Sequence, residues 1–166
     1  MPSMDELHAE ARSIVERMTE RGLRLATAES TVGGLIGFVV TAVPGASKVF
    51  AGGITAYSNR PKIALLGVPE ELAREQGAVS EPVVGAMARG AREAFGVDVA
   101  VAESGIASPA PHGGKPGGLY YIGIAAEGYE RVERHEFNGE RVDTMREAAS
   151  AALALIAGYL DQIGAG

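Results

Sequence analysis

Short apolar runs alternate with helical stretches along almost the whole of this chain, and that alternation restricts the fold more than any other feature. Leu23 to Ala28, Val49 to Tyr57 and Asp98 to Ala102 read as strands of small and β-branched residues. Helices are predicted between them. Ser3 and Glu6 form a capping-box pattern, after which Leu7, Ala11, Ile14, Val15 and Met18 recur at helical spacing until Gly22. Ser30 or Thr31 can cap a second, small-residue helix that runs toward Val43 and is ended by Pro44 and Gly45. Asn59 to Gly67 reads as a short helix with Pro61 in its first turn, where the missing N–H costs nothing, and Pro69 to Gly77 as another. Ser80, with Pro82 just inside, opens a helix through Val83, Met87 and Ala91 to Phe95, stopped by Gly96. Leu119 to Ala126 and Tyr129 to Phe137 form a hairpin pattern turning at Glu127 and Gly128, followed by a last helix from Glu140 to Ile163. The predicted fold class is therefore α/β: one three-layer α/β/α domain with a mixed central sheet and a late antiparallel hairpin.

A length of 166 residues suits a single domain over 1–166. With 46% hydrophobic but only 5% aromatic residues, the core must be built from Ala, Val, Ile and Leu. The apolar face of the last helix, Ala148 to Leu160, packs on its own sheet or is buried between subunits of a homo-oligomer.

Several chemistries are excluded or disfavoured. The chain has no cysteine, which removes disulfides, thiolate nucleophiles and Cys-based metal sites. His8, His112 and His135 lack metal-ligand spacing, so no metal is expected. A formal charge of −6 argues against nucleic acid as a partner, since that binding relies on a basic surface. Met1 is followed closely by Asp5 and Glu6 rather than by a basic and then apolar leader, and the nearly uncharged stretch Ser30 to Ala46 is broken by glycines and Pro44. No membrane association and a cytoplasmic location are the expectations.

In a sheet of this kind, sites gather at the carboxyl ends of strands. Glu29 to Gly34, Tyr57 to Lys62 and Ser104 to Gly118 all fall there. Ser30 lies where a strand gives way to a helix, so it is either a helix cap or a nucleophile whose oxyanion is held by nearby amides. Tyr57 and Lys62 flank a turn containing Asn59 and Pro61; Lys62 is either a solvated surface lysine or, if desolvated, a base able to activate a serine. Gly105 to Gly118, crowded with glycine and proline, exposes many amides and carries Lys115, which suits an anion such as a nucleotide phosphate.

From about Leu7 to Leu160 the chain resembles the CinA carboxyl-terminal domain family. The pieces that carry the resemblance are T-A-E-S at Thr27 to Ser30, Gly33 and Gly34, P-G-A-S at Pro44 to Ser47, and G-G-I-T-A-Y-S-N at Gly52 to Asn59. Lys62, L-G-V at Leu66 to Val68, G-A-V-S-E-P at Gly77 to Pro82, S-G-I-A at Ser104 to Ala107, and Lys115 with Pro116 continue it in order.

Stand-alone members of that family, also called PncC, are nicotinamide mononucleotide deamidases, and the resemblance implies that activity without a cofactor. Ser30 would be the nucleophile, Lys62 the base and Tyr57 a neighbour in the same catalytic pocket. Amides near Thr31 to Gly34 would hold the oxyanion. Glu29, Thr31, Gly33, Gly34, Asn59, Ser104, Gly105, Ala107, Lys115, Arg141 and Arg146 would surround the small-molecule nucleotide. The chain departs from the family pattern at several points. Thr31 and Val32 replace a Cys-Thr pair, Ser108 replaces a glycine, K-P-G-G-L at Lys115 to Leu119 replaces K-P-V-G-T, and Met145 stands where an arginine is usual, with Arg146 next to it. Two other readings follow from these departures: a non-catalytic nucleotide-binding paralogue, or a Ser/Lys amidase for another amide.

Overall fold

The computed structural model describes residues 1–164. Five strands, β1 (Leu25–Glu29), β2 (Phe50–Thr55), β3 (Val99–Gly105), β4 (Leu119–Ala126) and β5 (Tyr129–Glu136), form one sheet in the order β2-β1-β3-β4-β5. β1 pairs in parallel with β2 and β3, whereas β4 runs antiparallel to both β3 and β5. The α/β class, the mixed sheet and the late hairpin are as expected. β2 and β3 lie on opposite sides of β1, so the chain reverses direction across the sheet at the carboxyl end of β1, the position where such folds open a crevice.

Six helices cover the sheet: α1 (Met4–Arg21), α2 (Leu35–Thr41), α3 (Asn59–Leu66), α4 (Glu70–Gln76), α5 (Glu81–Phe95) and α6 (Arg141–Gly164). Helices α1, α2 and α6 share one core layer, where Leu7, Ile14 and Met18 meet Val39, Leu153 and Ile156 over Val99, Val101 and Ile122. On the opposite face, α3, α4 and α5 bury Leu66, Ala73, Val84 and Met87 against Ala26, Ala28 and Ala100. Alternation along β1 and β3 explains the two layers, because successive side chains of a strand point to opposite faces. The α1 capping box forms as the sequence implies: the Ser3 hydroxyl accepts from the Glu6 N–H at 3.2 Å and the Glu6 carboxylate from the Ser3 N–H at 2.7 Å. The apolar face of α6, including Ala148, Ala152, Leu153, Ile156 and Leu160, is buried within the chain's own core, which answers the choice left open by the sequence. Among the described residues no helix is long and apolar enough to cross a membrane.

The second helix differs from expectation. It starts at Leu35 rather than at Ser30 or Thr31, because Gly33 and Gly34 have φ of 65° and 101° and cannot continue a right-handed helix. Residues 30–34 are instead a turn, and this frees Ser30 from a capping role. β3 also extends past Ala102 to Gly105, since β4 pairs with it as far as Gly105↔Tyr120.

Helices α3 and α5 cross at a glycine. A Cβ on Gly90 would lie 1.7 Å from the carbonyl oxygen of Leu66, which is backbone and cannot rotate away. Gly90→Ala is expected to lower stability by at least the roughly 3 kcal/mol at the top of the ordinary overpacking range. Denaturant unfolding of the variant measures this, and a midpoint equal to wild type would show that α3 can shift freely.

Candidate functional site

The turn after β1 is fixed from inside by two buried carboxylates. Glu29 accepts from the N–H groups of Ile36 at 3.0 Å and Gly37 at 2.8 Å, which gives α2 the cap that Gly34 cannot supply. Glu103, at the end of β3, accepts from the Ser30 N–H at 2.6 Å and the Val32 N–H at 3.0 Å. Burial holds the Glu29 carboxyl above its ordinary range and pushes that of Glu103 up to about 7, against the lowering effect of the amides each accepts from. The amides of Ser30 and Val32 are thereby committed to Glu103, and the Gly33 N–H donates to the Ser30 carbonyl at 3.2 Å. Of the amides expected to hold an oxyanion, that leaves Thr31 and Gly34; the Gly34 N–H acts on the Glu29 carboxylate and Gly34 does not line the cavity, whereas Thr31 does.

Lys62, in the middle of α3, is 0% exposed. Its Nζ lies 2.8 Å from the Ser30 Oγ and 2.6 Å from the Ala56 carbonyl oxygen. Burial lowers its pKa from 10.5 to about 8, opposed by the negative charge of Glu103. Of the two readings that the sequence left for this lysine, the solvated one fails: the short turn after β2 brings α3 back under the carboxyl edge of the sheet, with the side chain enclosed. An amine so placed is neutral in a large fraction of molecules near pH 8, and a neutral amine can accept the proton of a serine hydroxyl.

Ser30 and Lys62 open into a cavity of about 550 Å³, which Thr31, Tyr57, Ser104, Gly105, Ala107 and Arg141 also line. The size suits a small-molecule ligand. Tyr57 lines the same cavity, 66% exposed, and makes no hydrogen bond to Ser30 or Lys62. Thr31 ties the turn to the loop after β3: its Oγ1 donates to the Gly105 carbonyl at 2.7 Å and accepts from the Gly105 N–H at 2.9 Å.

Other expected site residues lie elsewhere. Glu29 is occupied by α2 and does not line the cavity. Asn59 is exposed at the start of α3, outside the cavity wall. Lys115 does not offer its amine to an anion in the loop; Nζ donates to the carbonyls of Gln76 and Val79, clamping the loop onto the segment between α4 and α5. Gly33, Gly34 and Arg146 border a separate shallow depression with Phe38, Val142 and Met145. Arg141, not Arg146, is the α6 arginine at the cavity, because five residues of helix carry Arg146 to another side. Val32 is a core residue at 2% exposure, so the exchange at that position removes no group from the cavity.

Sequence reasoning missed Glu103, Ala78, Val79, His112 and Thr144. Ala78, Val79 and His112 also line the cavity, as do Ile106, Ser108, Ala110 and Pro111 of the loop after β3. Thr144 is buried and donates to the Ala107 carbonyl at 3.1 Å, with the Tyr120 hydroxyl 3.3 Å away, so it joins the start of α6 to the loop. The signal for Glu103 was available, a carboxylate closing the otherwise apolar run Val99 to Ala102.

Comparison with known proteins agrees with this fold and extent. The CinA C-terminal domain family model matches residues 7–160. A CinA-like protein of Syntrophobacter fumaroxidans is 46% identical over 144 residues, covering 85% of this chain and 34% of that protein. A CinA-like protein of Akkermansia muciniphila is 46% identical over 154 residues, covering 90% of this chain and 36% of that protein. The chain thus spans about a third of the length of these curated relatives. Among solved structures, a competence-damaged protein (CinA) superfamily protein from Klebsiella pneumoniae superposes with a TM-score of 0.91 at 28% identity, covering 94% of this chain and 98% of that one. The competence/damage inducible protein CihA from Agrobacterium tumefaciens gives 0.87 at 32% identity, covering 97% and 98%. The chain belongs to the CinA C-terminal domain family.

Proposed function

We propose that the chain is an amidohydrolase that converts nicotinamide mononucleotide to nicotinic acid mononucleotide and ammonia. The observation that carries this reading is the fully buried Lys62 amine 2.8 Å from the Ser30 Oγ, at the inner end of a cavity sized for a small molecule. Neutral Lys62 takes the Ser30 proton as Oγ attacks the carboxamide carbon, and the developing oxyanion is met by the Thr31 N–H. The Lys62 ammonium returns its proton to the departing nitrogen, releasing ammonia and leaving an ester on Ser30. Water, deprotonated by Lys62, then cleaves that ester and frees the carboxylate product. Arg141 supplies positive charge at the cavity for a phosphate, and the Tyr57 ring offers a face to the pyridine.

Thr31 bonds the loop after β3 and Val32 lies in the core, so these two exchanges leave the Ser30–Lys62 contact in place, which supports an enzyme over a non-catalytic paralogue; Ser108, also exchanged, lines the cavity. The test is ammonia release from nicotinamide mononucleotide by the purified protein, followed against pH. Since Lys62 must be neutral, kcat/KM is expected to rise with pH and level off above about 8, the value to which burial lowers that amine. Binding without turnover would favour the paralogue, and turnover of a different amide alone would move the substrate while keeping the chemistry.

A further inference from the structure

Two carboxylates lie beneath the nucleophile turn, and the steps above use neither. That of Glu29 is explained by α2, whose first free amides it accepts from. Glu103 is harder to explain as scaffolding. It is 0% exposed, and while Oε1 accepts from Ser30 and Val32, Oε2 is buried with no hydrogen-bond partner among the described residues. A buried carboxylate oxygen without a donor opposes folding. A glutamine could accept from the same two N–H groups without burying an ionisable carboxyl, so the acidic group calls for a reason beyond the turn.

Its surroundings supply one. Lys62 faces it from α3 and Glu29 from β1; Tyr120, on β4, feels its charge together with that of Arg141 at the start of α6, and α2 carries no charged side chain. The one amine enclosed with it is the one that contacts Ser30.

We propose that Glu103 is the positioning residue of the Ser30–Lys62 pair: its carboxylate clamps the backbone on both sides of Thr31 from within the core, and its charge acts on the Lys62 amine. This rests on the reading of Ser30 as nucleophile and Lys62 as base. The clamp holds the Ser30 Oγ at its distance from Nζ while a ligand enters. The charge works against desolvation, so the Lys62 amine is set by two opposed effects, burial favouring the neutral form and Glu103 favouring the ammonium. When Glu103 itself ionises, its bonds to the Ser30 and Val32 amides become charge-assisted and stronger, which couples the two functions of the one side chain.

Lys48, Lys62 and Lys115 are the only lysines in the chain, so lysine labelled with 13C at Cε gives a spectrum simple enough to follow Lys62 alone, assigned by its loss in Lys62→Met. In Glu103→Gln, which keeps an oxygen for both amides but removes the charge, the Lys62 midpoint is expected to fall by about one pH unit or more relative to wild type, with Lys48 and Lys115 unmoved. In parallel, Glu103→Ala is expected to lose about 10- to 100-fold in kcat with little change in KM, and Glu103→Gln to restore most of it on the pH plateau. Identical Lys62 midpoints in wild type and Glu103→Gln would overturn the proposal, as would a Glu103→Ala enzyme with wild-type kcat. The titration needs neither substrate nor the alanine variant, so it decides the matter even where the protein does not deamidate the mononucleotide or Glu103→Ala fails to fold.

Discussion

Lys62→Met should reduce turnover by about 10³- to 10⁴-fold, the range over which a positioned base contributes, and should do so without unfolding the chain. Methionine fills most of the volume of the lysine stem, so the packing of α3 against α5 survives. The two hydrogen bonds of Nζ, to the Ser30 Oγ and the Ala56 carbonyl, are lost. At pH 7 the wild-type amine is mostly protonated, so its removal takes one charge out of the core but leaves the Glu103 carboxyl without its counter-charge and the Ala56 carbonyl without its donor. The variant is therefore expected to fold but to melt below the wild-type temperature while being inactive. The pH dependence gives a second check. Between about 8 and the unfolded value of 10.5 the folded chain holds the Lys62 amine neutral while the unfolded chain keeps it protonated. Stability of the wild type thus rises with pH through that window, and the full contribution is reached above 10.5. Lys62→Met should lack that rise. A variant that kept wild-type turnover would remove Lys62 from the mechanism, and one with an unchanged stability curve would place the amine in solvent.

Features of this protein that depend on neighbours in sequence were readable without a structure, and those that depend on neighbours in space were not. The α1 cap needed only Ser3 and Glu6, and the hairpin turn only Gly128 between two alternating runs, so both fell where expected. The start of α2 was misplaced because a serine after a strand has the pattern of a cap, whereas the positive φ of Gly33 and Gly34 postpones the helix to Leu35. The length of β3 was set by β4, a partner distant in the chain. At the site, Ser30 and Lys62 stood out through motif resemblance, but their separation is created by the crossover from β2 into α3. Glu29 and Lys115 were assigned to the ligand because charged residues near a site attract that role; both are instead absorbed by backbone groups, Glu29 by amides of α2 and Lys115 by carbonyls before α5. Glu103 was overlooked for the converse reason: a carboxylate at a strand end is usually solvated, and only the pairing of β3 between β1 and β4 shows it to be enclosed.

Ser30→Ala carries the other large expected effect, a loss of turnover of at least about 10⁴-fold, since among the hydroxyls at the cavity Ser30 is the one that Lys62 Nζ contacts, at 2.8 Å. The change should be gentle on the fold. Ser30 does not cap α2, whose first amides are held by Glu29, and its Oγ bonds Lys62, so the expected cost is no more than the roughly 1 kcal/mol typical of one intramolecular hydrogen bond. The amides of Ser30 and Val32 remain bound to Glu103 whatever side chain position 30 carries, which keeps the turn in place. In the proposed mechanism Ser30 and Lys62 act as one unit, so the double variant Ser30→Ala/Lys62→Met should be no slower than the slower single variant. Mass spectrometry of the quenched reaction separates the roles. Wild type should accumulate a covalent adduct on the peptide containing Ser30 if ester hydrolysis is the slow step, whereas Ser30→Ala should show none under any condition. Residual turnover in Ser30→Ala, combined with a dead Lys62→Met, would mean that Lys62 activates water for direct attack on the amide. In that case the cavity and the base stand, the ester intermediate falls, and the Ser30 hydroxyl becomes a group that orients the lysine.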